Sequence, residues 1–225
     1  ERLFGLGNPE GNHGEDIKDT MYHLAGTPTC SYAKALYRYP QNPFPYQLLR
    51  DENQRRSRQE LEFELVDTGI FADNRFFDME VEYAKEGAED LLIRFTITNH
   101  GDEPADLHLL PTLWYRNTWS WGDRPSHRPH LHLNRDSLVS DPISGMGAYE
   151  LSCSETGTWL FTENETNSNI LWDEPLPQPY VKDAFHRYLI DGQTDAVNPA
   201  QQGSKAALHL HRTLMAGECW VIDLR

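Results

Sequence analysis

From Leu61 onward, apolar residues recur at every second position in run after run. In FFDMEVEYAKEG, Phe77, Met79, Val81 and Tyr83 fall on one side of an extended chain, and Asp78, Glu80 and Glu82 on the other. Successive residues of a strand point to opposite faces, so this spacing predicts a strand with one buried and one wet face, as in antiparallel sheets. DLLIRFTITN repeats the pattern with Leu91, Ile93, Phe95 and Ile97, and NHGDEPA turns the chain into LHLLPTLWYRN. Further strands are expected in AYELSCS, TWLFTE, FHRYLID, KAALHLHRTLM and CWVIDLR, with AGE closing the last pair as a short hairpin. Seven or more strands at short spacing, with almost no helix between them, predict an all-β chain. The expected architecture is a large antiparallel β-sandwich, supersandwich-like, with two sheets face to face.

Residues 1–60 read differently. NPEGNHGEDIKD is a Gly- and Asn-rich loop that turns acidic. SYAKALYRYP places Tyr32, Ala35, Leu36 and Tyr39 at helical spacing, with Pro40 as a stop. FPYQLLRDENQRRSRQE has Pro45 suited to a first helical turn. The expected organisation is an arm of one or two short helices over 1–60, packed on a sandwich over 61–225, the whole being one structural domain. The chain opens on ERLFGLGNPEG and closes on the strand-like CWVIDLR, which suggests a piece of a longer polypeptide.

Charge narrows the partners. Acidic residues outnumber basic ones by 35 to 20, a net charge of −15, so phosphate backbones and anionic lipid surfaces are repelled. No run of about 18 apolar residues exists to span a bilayer. Neither nucleic acid nor membrane is an expected partner. Cys30, Cys153 and Cys219 are far apart and odd in number, which fits buried or half-buried thiols in a reducing compartment. A cytoplasmic location is expected. Asn164-Glu165-Thr166 matches a glycosylation triplet, a pattern too common by chance to imply secretion.

Few motifs carry chemistry. GxSxG, Walker A and GxGxxG are all missing from the sequence. HLH occurs at His130–His132 and again at His209–His211, and residues two apart share a strand face. A metal needs three or four convergent ligands, and neither HExxH nor a regular His–acid spacing supplies the rest, so no metal or other cofactor is expected. Glu10, Glu15, Asp16 and Asp19 gather beside Asn12 and His13. Such carboxyls suit acid–base work on a glycosidic bond if held about 6–9 Å apart. They equally suit an acidic helix start, or contact with a ligand or neighbouring domain.

LHLLPTLWYRNTWSW is the densest stretch. If Leu107 and Leu109 face the core, Pro111, Leu113 and Tyr115 share their side, and Thr112, Trp114 and Arg116 lie opposite. Both faces are then substantially apolar, which predicts cover on both sides. Trp119 and Trp121 follow the expected strand end, beside Arg116 and Asn117. Three roles stand open for these rings: core packing, an interface with another domain, or stacking on a sugar.

EGNHGEDIKD, TCSYAKALYRYPQNPFPY, FELVDTGIFADNRFFDMEVEYAK and LHLLPTLWYRNTWSWG, in that order, resemble the N-terminal part of bacterial glucosidase-like proteins of glycoside hydrolase family sixty-three. These are related to the processing α-glucosidase of N-glycan maturation. The similarity is strongest from Glu1 to Trp121. It implies a β-sandwich set before a helical (α/α)6 barrel that carries the general acid and general base, cleaves α-linked glucosides with inversion, and uses no cofactor. No catalytic residue transfers to this chain. The resemblance makes Glu10, Asn12, His13, Glu15, Asp16, Arg116, Asn117, Trp119 and Trp121 candidates for pocket lining or barrel contact. The expected partners are the C-terminal barrel of the same polypeptide and a carbohydrate substrate. The alternative is a stand-alone binding module for α-glucans.

Overall fold

The computed structural model describes residues 20–120, 128–143, 145–176 and 178–225. The all-β, sandwich-like class expected from the period of two is the one observed: the described residues are 40% strand and 14% helix and build three antiparallel sheets. The chain divides into two compact units. One comprises Glu1–Leu107 with Arg212–Asp223, the other His108–His211 with Leu224–Arg225.

The first unit is organised on a five-stranded sheet. Its strands are β1 (Met21–Gly26), β2 (Tyr32–Pro40), β3 (Phe76–Lys85) and β4 (Leu91–Asn99), closed by the C-terminal strand β13 (Cys219–Leu224) in the order β1-β2-β3-β4-β13. SYAKALYRYP is therefore a strand and not the first helix of the arm. It pairs with β3 from Tyr32↔Ala84 to Pro40↔Phe76, and with β1 on its other edge. Its tyrosines favour a pleated surface, and β3 pairs along its full length while β1 pairs with Ala33–Tyr37, which outweighs a local helical period.

The register also explains the charge alternation. Lys34 and Arg38 of β2 stand opposite Glu82 and Asp78 of β3. Arg38 grips Asp78 through two hydrogen bonds of 2.8 Å, and Lys34 lies 2.7 Å from Glu80. The second expected helix is present as α1 (Tyr46–Arg55), with Pro45 just ahead of it. Its buried Leu49 packs with Leu65, Ile70, Phe44, Phe63 and Phe71.

Asn99, at the end of β4, is completely buried and fully bonded. Its amide nitrogen donates to the carbonyls of Glu103 and Leu214, both at 2.9 Å, and its oxygen accepts from Gln41 and the Gly101 N–H. A Cβ at Gly101 would come within 2.8 Å of Gln41 Oε1 and 3.1 Å of Asn99 Oδ1, so a larger residue there would displace this amide cluster.

The second unit contains the pairings made by residues 108–211. Strand β6 (Thr112–Trp114), which follows β5 (Ala105–Leu109), lies against β12 (Lys205–Leu214), with Lys205 opposite Trp114. On its other side β12 pairs with β10 (Thr158–Thr162) from Thr158↔His209 to Thr162↔Lys205. A further sheet orders β11 (Gln202–Gly203), β7 (Leu131–Asn134), β8 (Ser137–Ser140) and β9 (Glu150–Leu151). Leu131, Leu138, Phe161 and Ala206 form the core, with Leu113, Tyr115, Leu133, Leu151 and Trp159 around them.

Four expectations need correction. FHRYLID is a helix, α3 (Ala184–Leu189), framed by Asp183 before it and by Gly192 at φ 68° after it, start and stop signals that outweigh the alternation. It follows α2 (Ser168–Trp172). The AGE segment does not close a hairpin, because β13 pairs with β4 whereas β12 pairs with β10, β5 and β6. Around Trp114 only one side is covered: Leu107, Leu109 and Pro111 are buried, but Trp114 is 55% exposed. Cys30 and Cys219 are exposed thiols, and Cys153 alone is half-buried.

Candidate functional site

Beyond β6 the chain leaves the sheet, and its polar groups converge on the segment that follows β10. Asn164 donates from its side chain to the Tyr115 carbonyl at 2.9 Å, which fixes where the strand ends. Asn117 donates to the Asn164 carbonyl at 2.8 Å and to Glu165 Oε2 at 2.9 Å. Its own oxygen accepts from the Ser120 N–H at 3.2 Å, folding residues 117–120 into a turn. That turn aims the indole N–H of Trp119 at Glu165 Oε1, 2.5 Å away. Arg128 adds positive charge, 3.5 Å from Glu163 and 3.9 Å from Glu165.

Glu163 is bound just as closely. Its Oε2 accepts from the hydroxyl of Ser204 at 2.5 Å and from the Ser204 N–H at 3.2 Å. The same hydroxyl accepts from the Asn164 N–H at 2.8 Å. Neighbouring Gly203 has to be glycine, because a Cβ there would collide with the Thr162 carbonyl. Next in sequence stands Lys205, 4% exposed, whose ammonium donates to the Lys182 carbonyl at 2.9 Å and lies 4.7 Å from the centre of the Phe185 ring. Burial, aided by the charge of Lys182 and opposed by Asp183, lowers its pKa to about 7.

Chemically this is a brace. Both oxygens of Glu165 are engaged by N–H donors and the residue is only 8% exposed. Inverting hydrolysis requires two carboxyls with room for a water between them. Glu163 and Glu165 instead share one guanidinium, with Glu163 also held by the N–H and hydroxyl of Ser204 and Glu165 by the side chains of Asn117 and Trp119.

Of the candidate residues, Asn117 and Trp119 meet at Glu165, while Arg116 is exposed just past the end of β6. Glu10, Asn12, His13, Glu15, Asp16 and Trp121 lie outside the described residues. Sequence reasoning missed Glu163, Glu165, Arg128, Ser204 and Lys205. The available signal was ENE directly after the apolar strand TWLFT, two carboxylates where the core ends.

The HLH pairs separate. His209 and His211 of β12 group with His108, whose ring stacks on His211 at 4.2 Å and hydrogen-bonds His209 at 2.7 Å. Burial, then the nearby His108 and His211, lower the pKa of His209. His130 and His132 instead face Asp141.

No family model matches this chain. It is similar to a protein of Saccharomyces cerevisiae named "Uncharacterized protein YMR196W", 38% identical over 246 residues that cover 94% of this chain. The chain spans 23% of that relative's length. Among the described residues no helix is long and apolar enough to cross a membrane.

Proposed function

We propose that this chain is a non-catalytic β-domain of an inverting, α-glucosidase-like hydrolase of glycoside hydrolase family sixty-three, shaping one wall of a pocket whose acids sit on a helical barrel of the same polypeptide. One observation carries this reading. Ile170, Leu171 and Trp172 of α2 are 50%, 46% and 62% exposed, so three consecutive large apolar side chains are open to water on a five-residue helix. Contiguous apolar surface of this kind marks an interface. A partner in cis fits a chain that aligns with less than a quarter of its yeast relative. The four-block resemblance supports a barrel as that partner and an α-linked glucoside as substrate. The saturated Glu165 supports a supporting role without its own acid–base pair. The reaction needs no cofactor, and three cysteines that form no disulfide fit a cytoplasmic setting.

The test uses the polypeptide extended through its barrel. Trp172→Ser should lower its turnover of an aryl α-glucoside or its melting temperature, while the 225-residue chain alone releases no sugar. Turnover by the chain alone, or no effect of Trp172→Ser on the extended protein, overturns the proposal. The exposed ring of Trp114 favours a second reading, a module that holds α-glucans unaided. Calorimetric titration with α-gluco-oligosaccharides decides between them. Binding at millimolar concentration or below that disappears in Trp114→Ala or Trp119→Ala points to the module, and absence of heat points to the scaffold.

A further inference from the structure

We propose that His130, His132 and Asp141 form a binding site for a divalent transition-metal ion of the zinc class. The register of one strand pair builds it. Leu131 of β7 stands opposite Ser140 of β8, so the residues just outside the pair, His130 and Asp141, face each other. The Asp141 N–H donates to the His130 carbonyl at 2.9 Å and pins them there. His132, two residues on, shares the strand face of His130. The Asp141 carboxylate consequently lies between two imidazoles. Its Oδ2 is 3.8 Å from Nδ1 of His130, and its Oδ1 is 3.8 Å from Nδ1 of His132. One ligand atom from each residue lies within 4.8 Å of the others.

These distances are too long for hydrogen bonds. They are about what two donors span when each sits roughly 2.0–2.2 Å from one shared ion. An independent sign points the same way. Nδ1 of His132 is buried and has no hydrogen-bond partner among the described residues. A buried polar atom without a partner is rare and costly, and a cation between the rings and the carboxylate would satisfy it. Each ring would then carry its proton on Nε2 and offer Nδ1 as the donor.

The ligand chemistry sets the class of ion. Two imidazoles and one carboxylate suit zinc, copper or nickel, whereas calcium and magnesium favour all-oxygen sites. The three side chains are 42–44% exposed, so a fourth position would face solvent. The ion would clamp the start of β7 to the end of β8. Arg128, which reaches Glu163 and Glu165, lies two residues ahead of His130, so the clamp would also steady the carboxylate brace. None of this depends on the parent polypeptide being a glucosidase.

Calorimetric titration of the metal-stripped chain with Zn²⁺ tests the proposal, with Cys30 and Cys219 first alkylated because exposed thiols compete for zinc. The expected result is one ion bound per chain at micromolar concentration or below, with a raised melting temperature. His132→Ala and Asp141→Asn should each weaken binding at least about tenfold, and His211→Ala should leave it unchanged. X-ray absorption of the zinc-loaded wild type should report two imidazoles, a readout that does not require the variants to fold. Absence of saturable binding by the folded wild type, fewer than two imidazoles at the metal, or unchanged affinity in both His132→Ala and Asp141→Asn overturns the proposal.

Discussion

The two units handle charge in opposite ways. In the first, Lys34, Arg38, Asp78, Glu80 and Glu82 lie on one sheet face and meet across strands, partly open to water. In the second, Glu165 and Lys205 are at least nine-tenths buried and held by a network of side chains and carbonyls. Exposed pairs of the first kind contribute little, because water competes and each long side chain loses freedom. Buried groups of the second kind are expensive to disturb, because a lost partner leaves a desolvated atom with nothing to bind. Polar residues in the first unit therefore keep a strand face soluble and in register. Those in the second hold one particular backbone path, which leads from Tyr115 to Trp119.

The sharpest challenge to this contrast is Glu165→Ala, which removes the acceptor of Asn117 and Trp119 and a partner of Arg128. It should cost about 3–5 kcal/mol in urea unfolding. A loss under about 1 kcal/mol would place Glu165 with the surface charges.

Lys205 offers the next largest effect, and it carries a pH signature. Its folded pKa of about 7 lies below its unfolded value, so between these limits the unfolded chain binds more protons. Stability should then rise as pH increases from 7 towards 10, by roughly 2–4 kcal/mol, while below pH 7 the cost of burying the ammonium is present in full. Lys205→Met should be more stable than wild type at pH 6 and lose that slope. Parallel pH profiles for the two proteins would sink the assignment.

A smaller change is expected for Trp119→Phe, which keeps an aromatic side chain but removes the pyrrole ring and the N–H that binds Glu165: about 1–2 kcal/mol. Smallest of all is the coupling between Arg38 and Asp78 in a double-mutant cycle, about 1 kcal/mol or less and reduced by salt. A coupling as large as the Glu165→Ala loss would erase the difference between the units.

Much of the first unit was legible in the sequence. The alternation from Phe77 to Tyr83 set the charged face of β3, but the expected buried face is only partly covered, with Phe77 buried, Met79 and Val81 half-buried and Tyr83 43% exposed; Pro45 marked the start of α1. Tyr32–Pro40 was misread because four residues at helical spacing also fit a strand, and pairing partners far along the chain decided between them. In the second unit, Leu113, Tyr115 and Trp114 were assigned to the right sides of their strand. Asn117 and Trp119 were singled out, but their partner was not. Glu165 lies 46 residues beyond Trp119, and local spacing holds no trace of a contact made by two loops at the ends of strands flanking β12. The same applies to Asp141, whose approach to the two histidines depends on the register of β7 and β8.

The donor role of Asn164 has a practical corollary. Its side-chain nitrogen is the atom to which an oligosaccharide would be attached in the Asn164-Glu165-Thr166 triplet, and that nitrogen holds the Tyr115 carbonyl. A glycan added during synthesis in a secretory host would take one of that nitrogen's two hydrogens, compete with this bond and insert a bulky, hydrated branch beside Glu165. Production in a host that lacks N-glycosylation, or with Thr166→Val to disable the triplet, avoids material that never reaches the native arrangement.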